Sequence, residues 1–211
     1  MKHESLIVSL VSDAAPITPL PAPSARAARW LIVAIVAVVV GVMVKGLRQN
    51  WAMALSDSGF QLSTVLVLAT GISAALTALA LAVPGALRQT WLRWLPPGLF
   101  AVWGAVLAVD VLRVPGGVPA AGWATACMWK TWGIAVGPAA VLLMMARAAA
   151  PLDWRWTGGM AALAALAFGV LGTEMICPMT GHAHILTWHF APVALTALAT
   201  FAAVAVATRR A

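Results

Sequence analysis

The 211-residue chain has no tyrosine, only two cysteines and only six acidic residues, and charged side chains make up 9% of it. Each shortage excludes something. Two thiols cannot brace a disulfide-dense secreted scaffold or complete a four-thiolate zinc site within one chain. Soluble domains carry charge on roughly a quarter of their residues, so 9% charged beside 63% hydrophobic excludes water as the main solvent. GxSxG, HExxH, P-loop and dinucleotide-binding patterns are also missing, as is any CxxC pair. An enzyme therefore has no residues to rest on, and a thiol-exchange motif is absent. What the chain has in excess is apolar run and positive charge, 13 Lys and Arg giving a net +7.

Apolar runs fall at Ala28 to Val44, Leu62 to Val83, Leu95 to Leu112, Ala126 to Ala146, Thr157 to Ile176 and Ile185 to Ala207. Each is near the roughly 20 residues that one bilayer crossing needs. Backbone polar groups in hydrocarbon must be satisfied internally, and no alternating barrel pattern occurs, so all six are expected to be helices. The fold class is thus all-α, a polytopic membrane protein with a six-helix transmembrane bundle. Met1 to Ala28 lacks a basic start running into an apolar core and carries Pro16, Pro19, Pro21 and Pro23; it is expected to stay attached, outside the bilayer, rather than act as a leader. With the N-terminus inside, the inner segments hold Lys2, Arg26, Arg29, Arg88, Arg93, Arg147, Arg155, Arg209 and Arg210, against Lys45, Arg48, Arg113 and Lys130 outside. That asymmetry puts both termini in the cytoplasm. Trp30, Trp91, Trp94, Trp154 and Trp156 then mark the inner surface, and Trp51, Trp123, Trp129 and Trp188 the outer one. The expected organisation is a cytoplasmic amphipathic helix and Pro-rich spacer over residues 1–27, the transmembrane domain over 28–208, and a cytoplasmic tail over 209–211. Pro138 and Pro192, interior to the fourth and sixth runs, should kink them.

Cys127 opens the fourth run and Cys177 closes the fifth, so this topology brings both thiols to the outer face. In a Gram-negative cell that face is the oxidising periplasm, where neighbouring thiols can pair. Two inert, small core residues are the plainer alternative. After Cys177 come Pro178, His182, His184, Trp188 and His189, which include three of the chain's four histidines. Thiolate, imidazole and thioether suit Zn²⁺, Cu⁺ or a toxic thiophilic ion, bound transiently with no resident cofactor required. The possible ligands are Cys127, Cys177, His182, His184 and His189, though the spacing matches no standard metal motif. In a continuing helix His182 and His189 share a face and His184 points elsewhere. His189, one turn into the membrane, has the strongest functional claim, because buried ionisable groups are costly there. Asp110 and Lys130 can pair across two helices or each snorkel to the interface.

Leu6, Ile7, Leu10 and Val11 form one helical stripe, with Ser5, Ser9, Ser12 and Asp13 away from it. So short a helix is marginal alone. It suits either a tethered bait that orders on a partner's apolar groove, held out by the Pro-rich spacer, or a segment lying on the membrane.

Met1-Lys2-His3-Glu4-Ser5-Leu6-Ile7 with Leu10, Pro16 and Pro19-Leu20-Pro21, the stretch Leu55 to Phe60, Cys127, and Cys177-Pro178 followed by His182, Leu186, Trp188-His189-Phe190 and Pro192 together resemble the NrsF family of membrane anti-sigma factors. The resemblance covers nearly the whole chain. It implies a six-helix inner-membrane protein that sequesters an extracytoplasmic-function sigma factor of the SigF type at the cytoplasmic face. It also implies release when metal or oxidative stress acts on the cysteines matched by Cys127 and Cys177, with no direct nucleic-acid contact. Met179-Thr180-Gly181 departs from a more acidic stretch in relatives. On this resemblance Leu6, Ile7, Leu10 and Val11 are the expected sigma-binding residues, assisted by the inner ends near Arg88, Arg93, Arg147 and Arg155. Two other classes compete: a small heavy-metal or cation transporter using the Cys/His cluster, which needs polar groups at the midplane, and a quinone-linked thiol oxidoreductase, which needs a thiol relay.

Overall fold

The computed structural model describes residues 2–12, 19–85, 90–113 and 121–209. Expectations that rest on Asp13 to Pro16, on Arg88 or Arg210, or on the side chains of Lys2, Trp123 and Arg209 lie outside what it describes. Every regular element among the described residues is helical: α1 (Lys2–Ser12), α2 (Pro23–Lys45), α3 (Trp51–Ser56), α4 (Ser58–Leu81), α5 (Leu95–Arg113), α6 (Ala121–Arg147), α7 (Trp154–Ile176), α8 (His182–Ile185) and α9 (Ala191–Arg209). A 3₁₀ turn over Thr90–Trp94 leads into α5, and a π-helical turn over Leu186–Phe190 joins α8 to α9. Six helical stretches are long and apolar enough to cross a membrane, and they match the six expected runs one for one.

Where the boundaries differ, local chemistry explains it. α2 starts five residues early because Pro23 occupies its first turn, where the missing amide hydrogen costs nothing. Arg26 and Arg29 thereby join the helix. The stretch expected as a loop before the second run is instead α3 followed directly by α4, whose first turn is capped by Asp57 accepting from the Phe60 amide (2.7 Å). Pro192 crowds the carbonyl four residues before it and offers it no hydrogen. The turn just before this proline widens into the π form, in a continuous helical path from His182 to Arg209.

α7 is the axis of the bundle. It is buried over most of its length and packs against α4, α6, α9 and α2. The cause is its small side chains: Gly158, Gly159, Ala161, Ala164, Ala165, Ala167, Gly169 and Gly172 let neighbouring backbones come close. A side chain at Gly169 would strike the main-chain carbonyl of Thr131 on α6. By contrast α2 exposes Ile32, Ile35, Val36, Val39, Val40, Met43 and Val44, an apolar face of the kind lipid solvates. Between α4, α5 and the π turn sits an aromatic knot, with Phe190 stacked on Phe100 (4.4 Å) and edge-on to Trp103 (5.4 Å).

Because the spanning helices alternate in direction, the ends of α2, α5 and α7 meet the starts of α4, α6 and α8 at one end of the bundle. That end holds both cysteines. The beginning of α2 lies at the other.

Candidate metal and thiol site

α6 and α7 face each other in a strict antiparallel register. Ala135 lies against Gly169, whose added Cβ would come 3.2 Å from the alanine's. One turn on, the Thr131 and Thr173 hydroxyls share a hydrogen bond of 2.9 Å. Another turn on, the Cys127 thiol donates to Cys177 Sγ at 3.3 Å. Each step moves four residues back along α6 and four forward along α7, the i, i+4 spacing that keeps side chains on one face. One hydroxyl donates to the other, and the accepting one donates to its own helix, Thr131 Oγ1 to the Cys127 carbonyl (3.1 Å) or Thr173 Oγ1 to the Gly169 carbonyl (2.9 Å). Cys177 itself caps α7 in extended conformation, its amide bonded to the Thr173 carbonyl (2.7 Å).

The chain then turns back into α8 and supplies nitrogen. His184 Nε2 stands 3.4 Å from Cys177 Sγ, and the His184 and His189 rings meet edge to face at 5.3 Å. The ligand atoms of Cys127, Cys177, His184 and His189 all lie within 4.8 Å of one another, and all four residues are buried. Both cysteines are free thiols. Hydrogen bonding from the Cys127 thiol draws the pKa of Cys177 below the ordinary thiol value against the opposing effect of burial, with the contact to His184 and the nearness of His189 acting in the same direction.

Two histidines change places relative to expectation. His184, expected to point elsewhere, is in the cluster; His182, expected to share the face of His189, is not. The π turn is the reason. In an α-helix residues 184 and 189 are about 140° apart, but a turn closed by i→i+5 bonds brings residues five apart onto one side. His182 instead faces Asp110 on α5 at 3.8 Å. Asp110 therefore has a histidine opposite it, and the Asp110–Lys130 pair is not among the described ion pairs.

The donor set fits a soft or borderline metal. Tetrahedral coordination with bonds of about 2.0–2.3 Å places ligand atoms about 3.3–3.8 Å apart, and the two closest separations here are 3.3 and 3.4 Å. His184 Nδ1 and both ring nitrogens of His189 are buried without a hydrogen-bond partner. Imidazole nitrogens without a partner beside paired thiols are donor atoms free to bind a metal ion.

A second polar layer adjoins the cluster, with little sign of it in the residue pattern. Arg48, just past α2, is buried and clasps the end of α7: its amide donates to the Met175 carbonyl (2.9 Å), Nη1 to the Glu174 carbonyl (3.2 Å) and Nε to Asn50 (2.7 Å). Asn50 in turn donates to the Pro178 carbonyl (3.4 Å). Trp103 donates to Ser63 (2.8 Å), and Ser63 donates to Oε1 of the buried Glu174 (3.2 Å).

The other predicted residues stand outside this cluster. Leu6, Ile7, Leu10 and Val11 are on α1 with more than half of each exposed, joined by Val8 at 68%. Comparison with known proteins gives one match: a family model described as NrsF, negative regulator of sigma F, covers residues 10–209. No curated protein and no solved structure gives a significant match. The chain belongs to the NrsF family, negative regulators whose partner is a sigma factor.

Proposed function

We propose that this NrsF-family chain holds an extracytoplasmic-function sigma factor of the SigF type at the cytoplasmic face of the bacterial inner membrane, and releases it when metal or oxidative stress reaches Cys127 and Cys177 from the periplasm. Both termini are cytoplasmic in this reading, in line with the excess of Lys and Arg on that side. The observation that carries the sensor is the buried pair of sulfurs 3.3 Å apart with His184 at 3.4 Å. The holding element is α1, whose apolar residues are exposed and unburied by any other described part of the chain. A partner groove that covers Leu6, Ile7, Leu10 and Val11 gives so short a helix the burial it lacks alone.

Two inputs act on the same pair. A soft metal supplies Lewis-acid bonds to Cys127, Cys177, His184 and His189. A peroxide oxidises the two thiols to a disulfide, taking two electrons and two protons and leaving as two waters. Either one fixes the start of α6 to the end of α7. A signal can act only by favouring one arrangement of the bundle, and couplings of about 1–3 kcal/mol change affinity about 5- to 150-fold.

The test is a sigma-dependent reporter with membrane pull-down of the sigma factor. Cys127→Ser and Cys177→Ser are each expected to keep the sigma factor bound and to abolish induced release. Normal induction in both variants removes the sensor role. Equal capture by the full chain and by a chain lacking residues 1–12 removes the role of α1.

A further inference from the structure

Beside the thiol and imidazole cluster lies a polar cavity of about 170 Å³, room for a few water molecules. Its outer lining includes the exposed Asp57 and Thr180 and the half-exposed His182; its floor is made by the buried Arg48, Ser63, Glu174 and His189. The cavity thus runs from the surface of the bundle to a histidine that belongs to the cluster. Glu174 is 4% exposed, and its Oε2 has no hydrogen-bond partner although Oε1 is held by Ser63. A buried carboxylate oxygen without a partner, on a side chain that lines a cavity, is expensive unless something visits it. Asp110 adds a second carboxylate near the mouth through His182. The one fixed cation in the lining, Arg48, commits Nη1 to the Glu174 carbonyl and Nε to Asn50 and leaves Nη2 without a partner. Oxygen and imidazole donors therefore occur in sequence from surface to floor, which suits a hydrated divalent cation that sheds water stepwise.

We infer that this cavity is the access path by which a thiophilic divalent cation reaches the Cys127, Cys177, His184 and His189 cluster, with Glu174 as the transfer ligand at its floor. The inference rests on the reading of that cluster as a metal site. Glu174 holds the ion briefly through Oε2 and hands it to His189, and it is not part of the final shell. A residue of this kind changes how fast the metal arrives and leaves the final complex alone.

Cadmium(II) added to the purified full chain in lipid nanodiscs reports the difference, followed by its thiolate-to-metal charge-transfer absorption in stopped flow and by titration. Glu174→Gln keeps the shape and the Ser63 bond and is expected to slow loading at least tenfold with unchanged stoichiometry and affinity. Gly59→Leu is a second, independent block: a side chain there starts 3.1 Å from the Asp57 carboxylate and 3.6 Å from His182 Nε2, in the mouth of the cavity. It too slows loading without changing the end point. Loading at the wild-type rate in both variants overturns the path while leaving the metal site standing. Loss of affinity in Glu174→Gln overturns it as well, since Glu174 is then a resident ligand. If the wild-type chain takes up no cadmium, the metal reading falls and the path falls with it.

Discussion

Replacing Gly169 by alanine tests whether the close approach of α6 and α7 is what holds the thiols together. The added methyl runs into the Thr131 carbonyl and also comes 3.1 Å from Thr131 Cγ2 and 3.2 Å from Ala135 Cβ. The carbonyl is backbone, so no rotamer relieves the clash and the helices must part. Overpacking of this kind costs about 1–3 kcal/mol, equivalent to about a 5- to 150-fold loss in the population of the close-packed arrangement. The strain falls about 6 Å along α6 from Cys127 and about 12 Å along α7 from Cys177, at 1.5 Å per residue. Between them lies the Thr131–Thr173 bond of 2.9 Å, which stretches first. The assay is disulfide formation by a limiting dose of hydrogen peroxide in nanodiscs, read by counting thiols that still accept a bulky maleimide. Gly169→Ala is expected to form the bond at least fivefold more slowly, with helical content by circular dichroism unchanged. A folded variant that cross-links at the wild-type rate refutes the argument that this contact sets the sulfur separation.

Other outcomes follow from the same geometry. His184→Ala is expected to weaken cadmium binding by more than the roughly 10- to 100-fold that loss of an outer-shell partner costs, while His182→Ala leaves equilibrium affinity near wild type, both read by competition titration. Thr173→Val removes the bond between the two hydroxyls while Thr131 Oγ1 keeps the Cys127 carbonyl, a loss of about 0.5–1.5 kcal/mol visible as a lower melting temperature. Exchanging Leu6, Ile7, Leu10 and Val11 together for serine is expected to abolish sigma-factor capture with no change in melting, because these side chains are exposed.

The six spanning helices were legible because bilayer thickness imposes a length that composition alone reveals, and every run expected from hydropathy is a helix here. Cys127 and Cys177 were placed at one end by counting crossings. Their partners were a matter of period. Thr131 is four residues after Cys127 and Thr173 four before Cys177, a symmetry readable in the sequence once α6 and α7 are taken as antiparallel neighbours. Arg48 was harder, since as a lone charge past an apolar run it reads as an orientation signal, and only the fold shows it turned inward against α7. The exchange of His182 for His184 could not be read at all from a 3.6-residue period. It depends on a π turn beside Pro192, and a proline announces a local disturbance without specifying its form.

The polar clasp at Arg48 gives the bundle a physical link between the cluster and the opposite end of α2. Arg48 and Asn50 follow α2 directly and bind the carbonyls of Glu174, Met175 and Pro178, which flank Cys177. From there α2 runs 23 residues without a break, about 34 Å, to Pro23 at the opposite end. A displacement of the α7 terminus therefore pulls on α2 through hydrogen bonds rather than through side-chain packing alone. Arg48→Ala removes the two side-chain bonds and spares the main-chain one. Hydrogen bonds from a charged group are worth about 1.5–3 kcal/mol each, so the variant is expected to melt at a lower temperature. Its equilibrium cadmium stoichiometry should stay at the wild-type value, because Arg48 donates to backbone and Asn50 and not to the four ligands. Release of the sigma factor by the metal-loaded variant, measured by pull-down, should drop at least fivefold. Full release from a variant with an unchanged melting temperature would show that the clasp neither braces the end of α7 nor carries its displacement to α2.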